Sequence, residues 1–330
     1  MPSRQDNAQM LTLVPAEGTI LERILDTQHS VEHEGLSRQA FTTRDLVQRR
    51  TAWALRHHRR VALMDGSDVL ASAQRYDLAG VLDHQRVGIC GIASVCTDPM
   101  GGNGHYAREM VERLIDEARR NGADVAILFL TTDRIACVPD GFEVIPTADI
   151  ELRVAESPRH GAPMTLMRGA EDRDLPAIVA LGQVRAGAYR FHLDRDVDQV
   201  KYVITKKRLL AGLGTAGARQ LQFMIAEEGI TAAAYVVISI AAGTWTIEEC
   251  GDRDVSGARV GALLQALIAR EPAERRPVIR GWLPAGFVPP QVTIVSTQPS
   301  TELIFGQVLA TRTPLRLSAA DVLFWRSDVF

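Results

Sequence analysis

The sequence predicts an α/β protein of mixed α+β character, made of two similar halves. Each half is expected to hold a mostly antiparallel sheet that ends in a parallel strand pair, with helices on its flanks. Three observations carry this expectation. Residues 87–146 read as strand, Gly-rich turn, amphipathic helix and second strand, closed by a Gly-Phe corner. Short strands precede that stretch as a meander, and the same order of elements restarts after residue 163. A length of 330 residues suits two domains, each large enough for its own core. Hydrophobic residues at 46% and charged residues at 23% exclude a fibrous or largely disordered chain.

In order along the first half, residues 1–9 are polar and expected to be disordered, and residues 11–14 supply an opening strand. Apolar spacing predicts helices over residues 19–29 and 43–57, then a strand at 60–64. The sequence Asp65-Gly66-Ser67-Asp68 is a hairpin turn into a strand at 69–77. Beyond a loop around His84, residues 87–97 form an apolar run that is satisfied only as a strand buried on both faces. Its Gly88 and Gly91 permit a bulge or a close backbone approach.

Asp98 and Pro99 end that strand, and three glycines with one Asn occupy residues 100–106. Such a turn adopts positive φ and aims backbone N–H groups outward. From there Tyr106, Met110, Val111, Leu114, Ile115 and Ala118 recur at helical spacing on one apolar face, and Gly122 is the left-handed stop. The unsatisfied amides and the positive end of the helix dipole then face one concavity, which suits a pyrophosphate. Residues 124–130 are a second strand, parallel to the first because a helix joins them. Parallel neighbours that splay apart would open a cleft.

The turn at 100–106 itself carries neither a G-x-G-x-x-G fingerprint nor a Gly-Lys-Ser/Thr, so the dinucleotide-binding and P-loop readings of it both fail. The ordered set instead resembles the acyl-CoA core of the GNAT superfamily of N-acyltransferases. It comprises the Asp-Pro before the turn, Asn-Gly-Ala after the helix, and Asp140-Gly141-Phe142-Glu143-Val144-Ile145-Pro146. The resemblance implies an acetyl-CoA cosubstrate whose pantetheine pairs with the backbone of Ser94, Val95 and Cys96. Its phosphates would lie over Gly101, Gly102, Asn103, Gly104, His105, Tyr106 and Ala107. Two positions depart from the family loop: Gly101 replaces a cationic or amide side chain, and Tyr106 replaces a small residue.

The resemblance also implies a proton donor to the departing thiolate just before the Gly-Phe corner. Where active relatives carry Tyr, this chain carries Cys137, with Tyr106 or water as substitutes. A thiol is a poorer hydrogen-bond donor than a phenol, and the plainer reading of Cys137 is a small apolar filler. The attacking amine needs a base, and residues 26–35 offer His29, Glu32, His33 and Glu34, of which Glu34 is the candidate taken forward. The Phe330 carboxylate is a further candidate, because some tandem relatives bring a terminal segment to the cleft.

After a Pro/Gly-bearing joint at 157–163, the second half runs through strand 164–167 and helices 174–187 and 197–213. A meander at 221–227, 230–241 and 244–250, a helix at 256–269 and a strand at 277–283 follow. Its equivalent turn carries Asp252 and Asp254, which would cap the helix and repel a pyrophosphate. The whole resembles a tandem GNAT protein: residues 10–156 with the acyl-CoA site, and a degenerate copy at 164–330.

A net charge of −3 gives no reason to expect nucleic acid, and the run Arg56-His57-His58-Arg59-Arg60 reads as a solvated helix end. Four cysteines without metal spacing, no secretory core and no apolar run of about 20 residues imply reduced thiols, no membrane and a cytoplasmic location. The expected activity is transfer of an acetyl group to a small-molecule amine. A catalytically silent acyl-CoA or protein binder is the alternative. Acceptor identity and oligomeric state, a homo-oligomer among the options, are not encoded by any motif.

Overall fold

The computed structural model describes residues 11–97, 104–155 and 166–330. The joint at 157–163 and the glycines Gly101 and Gly102 with Asn103 lie outside the described residues. The first half opens with strand β1 (Thr12–Pro15) and helix α1 (Gly18–Glu32), which runs three residues past the expected end and so carries Glu32 on its last turn. The single helix expected at 43–57 is two, α2 (Arg38–Arg49) and α3 (Ala52–His57). The break is a capping event: Thr51 leaves helical φ/ψ and its side chain accepts from the Ala54 N–H, as Ser37 does for Ala40 at the start of α2.

Strands β2 (His58–Asp65), β3 (Asp68–Leu82) and β4 (Gln85–Thr97) form the meander. The loop around His84 is a two-residue hairpin turn in which Asp83 and His84 both have positive φ. Because β2 already starts at His58, strand alternation turns His58 and Arg60 inward and leaves Arg59 outside. The basic run is therefore not a solvated helix end. Arg60 is buried, bonded to Asp45 at 2.7 Å and to Gln28.

Helix α4 (His105–Arg120) buries Ala107, Met110, Val111, Leu114, Ile115 and Ala118, the expected stripe except that Ala107 lies deeper than Tyr106. Strand β5 (Val125–Thr131) pairs with β4 in parallel, as a helical crossover requires. A 3₁₀ turn (Thr132–Cys137) and strands β6 (Glu143–Ile145) and β7 (Ala148–Val154) follow.

The second half contains β8 (Leu166–Gly169), α5 (Leu175–Ala186), β9 (Phe191–Leu193) and α6 (Val197–Leu213). The meander β10 (Arg219–Glu228), β11 (Thr231–Ala241) and β12 (Thr244–Asp252) leads to α7 (Ala258–Ile268) and β13 (Val278–Gly281), which pairs with β12 in parallel. The chain finishes with β14 (Val292–Pro299), β15 (Glu302–Val308), β16 (Thr313–Pro314) and β17 (Val322–Leu323). Strands β10 to β12, α7 and β13 thus repeat the order of β2 to β4, α4 and β5.

Neither sheet is built from one half alone. Strand β15 pairs with β5 antiparallel through the register Glu302↔Thr131 to Val308↔Val125, closing the first sheet. Reciprocally, β7 lies beside β13 in the second sheet. Each half covers the other's exposed edge, which would otherwise present unpaired backbone groups. Helix α6 adds to the interlock by packing on the first half, with Tyr202 4.7 Å from the Trp53 ring.

The equivalent turn of the second half is blocked. The Asp252 carboxylate accepts from the Arg259 N–H at 2.8 Å and from the Val260 N–H at 3.1 Å, so the N-terminal amides of α7 are already taken by an internal anion.

Candidate active site

Strands β4 and β5 are hydrogen-bonded only from Ile89↔Val125 to Ile92↔Leu128, and they part beyond that register. The parting coincides with a bulge. Ser72 faces Cys96 and Gln74 faces Ala93, so Ser94 and Val95 together oppose the single Ala73. Ser94 takes φ +49° there, and the Gln28 side chain of α1 donates to its carbonyl at 3.2 Å. The glycines of this strand permit either a bulge or a close approach, and the bulge falls elsewhere. Gly91 serves the close approach: a Cβ there would lie 3.0 Å from Leu78.

A cavity of about 430 Å³ opens where the strands separate. Its walls include Ser94 and Val95 from β4, Leu130 and Thr131 from β5, Glu32 and Glu34 near the end of α1, and Lys206 of α6. Its floor is aromatic. Tyr76 lies 4.4 Å from the Phe330 ring, which also stacks on Trp53 at 5.9 Å. The chain's last residues are thus docked in the cleft as part of its lining. A larger hollow of about 770 Å³ runs along the charged outer face of α4, but none of its lining residues comes from the splayed segments.

The cleft's charges are mostly paired. Arg134 donates to the Val95 carbonyl at 2.6 Å and lies 3.2 Å from Glu32. Arg44 binds Glu34, Arg326 binds Glu302 at 2.5 Å, and Lys207 binds Glu248 at 2.7 Å. Burial raises the Glu32 carboxyl above its ordinary value, and the Arg134 charge only partly offsets this. Burial acts on Glu34 in the same direction, but the Arg44 charge and hydrogen bond outweigh it and hold that carboxyl below its ordinary value. Lys206 donates to the Val329 carbonyl at 2.9 Å and has no carboxylate partner among the described residues. Burial, helped by the neighbouring Lys207 charge, pulls its ammonium down to about 7.

The structure brings Ser94, Val95 and Glu34 to the cleft wall and buries Cys96 beside them on β4. Gly104 starts α4 in the left-handed region, φ +74°, followed by His105, Tyr106 and Ala107 with no acidic residue in the first turn. This helix start borders the 3₁₀ turn after β5: a Cβ on Gly104 would be 3.8 Å from that of Ala136. Cys137 and Tyr106 do not come to the cleft. Cys137 is buried in the cluster beneath α4, where burial pushes its thiol up to about 11, and half-buried Tyr106 packs at the edge of the same cluster.

A thiol that holds its proton so tightly is a weak acid toward a thiolate, so Cys137 fits the filler reading better than the donor reading. His29 and His33 are spent on local structure, bonded to the Leu36 carbonyl at 3.1 Å and the Gly35 N–H at 2.9 Å. Sequence reasoning missed Tyr76, Arg134, Lys206 and Glu302. No motif marks them, because four separate elements bring them together.

A family model for an acetyltransferase (GNAT) domain matches residues 27–134, the segment that carries this cleft. The chain contains a GNAT domain. Over most of its length the fold is similar to that of solved acyltransferases. A GCN5-related N-acetyltransferase from Kribbella flavida superposes with a TM-score of 0.62 at 16% identity, covering 91% of this chain and 72% of that one. Eis1 from Mycobacterium abscessus gives 0.58 at 12% identity, with 92% and 74% covered. The N-myristoyltransferase of Saccharomyces cerevisiae, solved with bound myristoyl-CoA, gives 0.52 at 8% identity, with 90% and 82% covered. At these identities the likeness is one of fold. No curated protein sequence matches this chain. Among its described residues no cluster could hold a metal ion, and no helix is long and apolar enough to cross a membrane.

Proposed function

We propose that this GNAT protein transfers an acetyl group from acetyl-CoA to the amine of a small-molecule acceptor by direct attack. The observation that carries the reading is the cavity at the β4/β5 splay, walled by Ser94, Val95 and Thr131 with Glu32 at its rim. Its volume of about 430 Å³ suits a short acyl group and a small acceptor better than a long chain.

In this reading the pantetheine runs between β4 and β5 and pairs with the main chain of Ser94, Val95 and Cys96. The pyrophosphate rests over residues 101–107, next to the first turn of α4, which carries no acidic residue and whose start has no side-chain cap among the described residues. Glu32, its carboxyl raised above the ordinary value by burial, takes a proton from the acceptor amine directly or through one water. The amine attacks the thioester carbon, the oxyanion is held by strand N–H groups near Val95, and the C–S bond breaks. The thiolate takes its proton from water, because Cys137 and Tyr106 lie outside the cleft lining. Glu32 replaces Glu34 as the base on electrostatic grounds: Glu34 is committed to Arg44.

A second reading, an acyl-CoA binder without turnover, draws on the Arg134 side chain, which occupies the Val95 carbonyl that a pantetheine amide would use. A thermal-shift titration with acetyl-CoA followed by free-thiol release with a panel of amines separates the two. Thiol release above the rate without amine is the expected result. A shift without release favours the silent binder, and no shift overturns both.

A further inference from the structure

Lysine is rare in this chain, and where it occurs is informative. Of 37 Lys and Arg residues only three are lysines, and Lys201, Lys206 and Lys207 all lie on α6. Arginine keeps its proton at any physiological pH and does not attack a thioester, whereas a lysine amine does so once neutral. The three amines differ in their surroundings. Lys201 is exposed and paired with Asp172 at 2.9 Å, and Lys207 is held by Glu248 at 2.7 Å. Lys206 and Lys207 both line the cleft, and of the two Lys206 has no carboxylate ion pair among the described residues, its ammonium held by the Val329 carbonyl at 2.9 Å. It shares that cavity with Ser94, Val95 and Thr131, the wall against which the thioester lies in the proposed function.

We propose that Lys206 is an internal acyl acceptor, and that the protein acetylates itself there when acetyl-CoA is bound and no amine is present. This inference rests on the acetyl-CoA reading of the cleft. The neutral Nζ attacks the thioester carbon, the C–N bond forms, and the C–S bond breaks. The new amide nitrogen sheds one proton and the CoA thiolate takes one, so an acetyl-lysine and free CoA result. Burial, with the Lys207 and Arg44 charges acting the same way and the Glu34 and Glu302 carboxylates against it, lowers the ammonium to about 7 and keeps a sizeable neutral fraction available at physiological pH.

The test incubates the full chain with acetyl-CoA and no acceptor, and follows intact mass and peptide mass spectra, with a thermal-shift titration in parallel. The expected result is one acetyl group per chain, mapped to Lys206 and not to Lys201 or Lys207. Its rate should rise as pH passes through about 7 and be much slower in the denatured chain. Lys206→Arg, checked for native fold by circular dichroism, should abolish the mass gain. A thermal shift without acetylation of Lys206, equal labelling of all three lysines, or equal rates in folded and denatured protein overturns the proposal while leaving the cofactor reading intact. Absence of any shift removes both.

Discussion

Arg134 reaches across the gap between β5 and β4 to donate to the Val95 carbonyl at 2.6 Å, and the same guanidinium lies 3.2 Å from Glu32. One side chain thereby links the strand that would receive pantetheine to the carboxylate that would serve as base. Cofactor entry must displace the first contact and weaken the second. Arg134→Ala is expected to tighten acetyl-CoA binding by freeing Val95. The Arg134 charge lowers the Glu32 carboxyl, so its removal raises that group further. The acid limb of kcat/KM against pH should then move to higher pH.

Glu32→Gln removes the proposed base and keeps the size of the side chain. Thiol release should fall by about 10²- to 10⁴-fold in kcat. Glu34→Gln, which removes a carboxylate already bound to Arg44, should cost less than about 10-fold in the same assay.

Cys137→Ala separates a donor from a filler. The thiol is buried beneath α4 and pushed up to about 11, so kcat should stay within a few-fold of the parent. Stability should drop by about 1 kcal/mol in urea titration, the scale of a small buried truncation.

Beneath the cleft, Asp45 pairs with buried Arg60 at 2.7 Å and with Arg49 at 2.8 Å. Burial raises the Asp45 carboxyl, but the two arginines outweigh it and hold the group below its ordinary value of 3.8. Its stabilisation is therefore fully present above that value and is lost as pH falls through the lower folded value. Asp45→Asn leaves Arg60 buried without its counter-charge and should cost about 3–5 kcal/mol near neutral pH by urea titration. The difference between the two proteins should shrink in acid.

The core that positions the site is legible in the sequence where local periodicity decides the structure. The stripe from Met110 to Ala118 fixes α4, and the apolar runs on either side fix β4 and β5. Local periodicity cannot say which edge a strand will join. Strands β7 and β15 carry no pattern that marks them in the sequence, and only the assembled chain exchanges them between the sheets. The same reason hides the charges. Arg60 looks solvated beside its basic neighbours until β2 starts at His58 and alternation turns it toward Asp45 on a separate helix. Capping decides at single residues: Thr51 splits a helix that spacing alone makes continuous. Lys206 and Tyr76 become visible as site residues only when α6 and β3 meet at the cleft.

That exchange has a consequence for truncation. A chain ending at residue 156 would leave β5 unpaired along its Val125–Thr131 edge and β7 without a sheet to join. Such a fragment should be insoluble or lack a cooperative unfolding transition, as read by thermal denaturation followed by circular dichroism.

The central claim is that the parted strands β4 and β5 receive a thioester cofactor, and a crystal structure of the complex with CoA tests it most directly. The account predicts the CoA sulfur beside Val95, the phosphates at the start of α4, and Arg134 withdrawn from the Val95 carbonyl. CoA bound elsewhere, or bound with the Arg134 to Val95 contact unbroken, would contradict it.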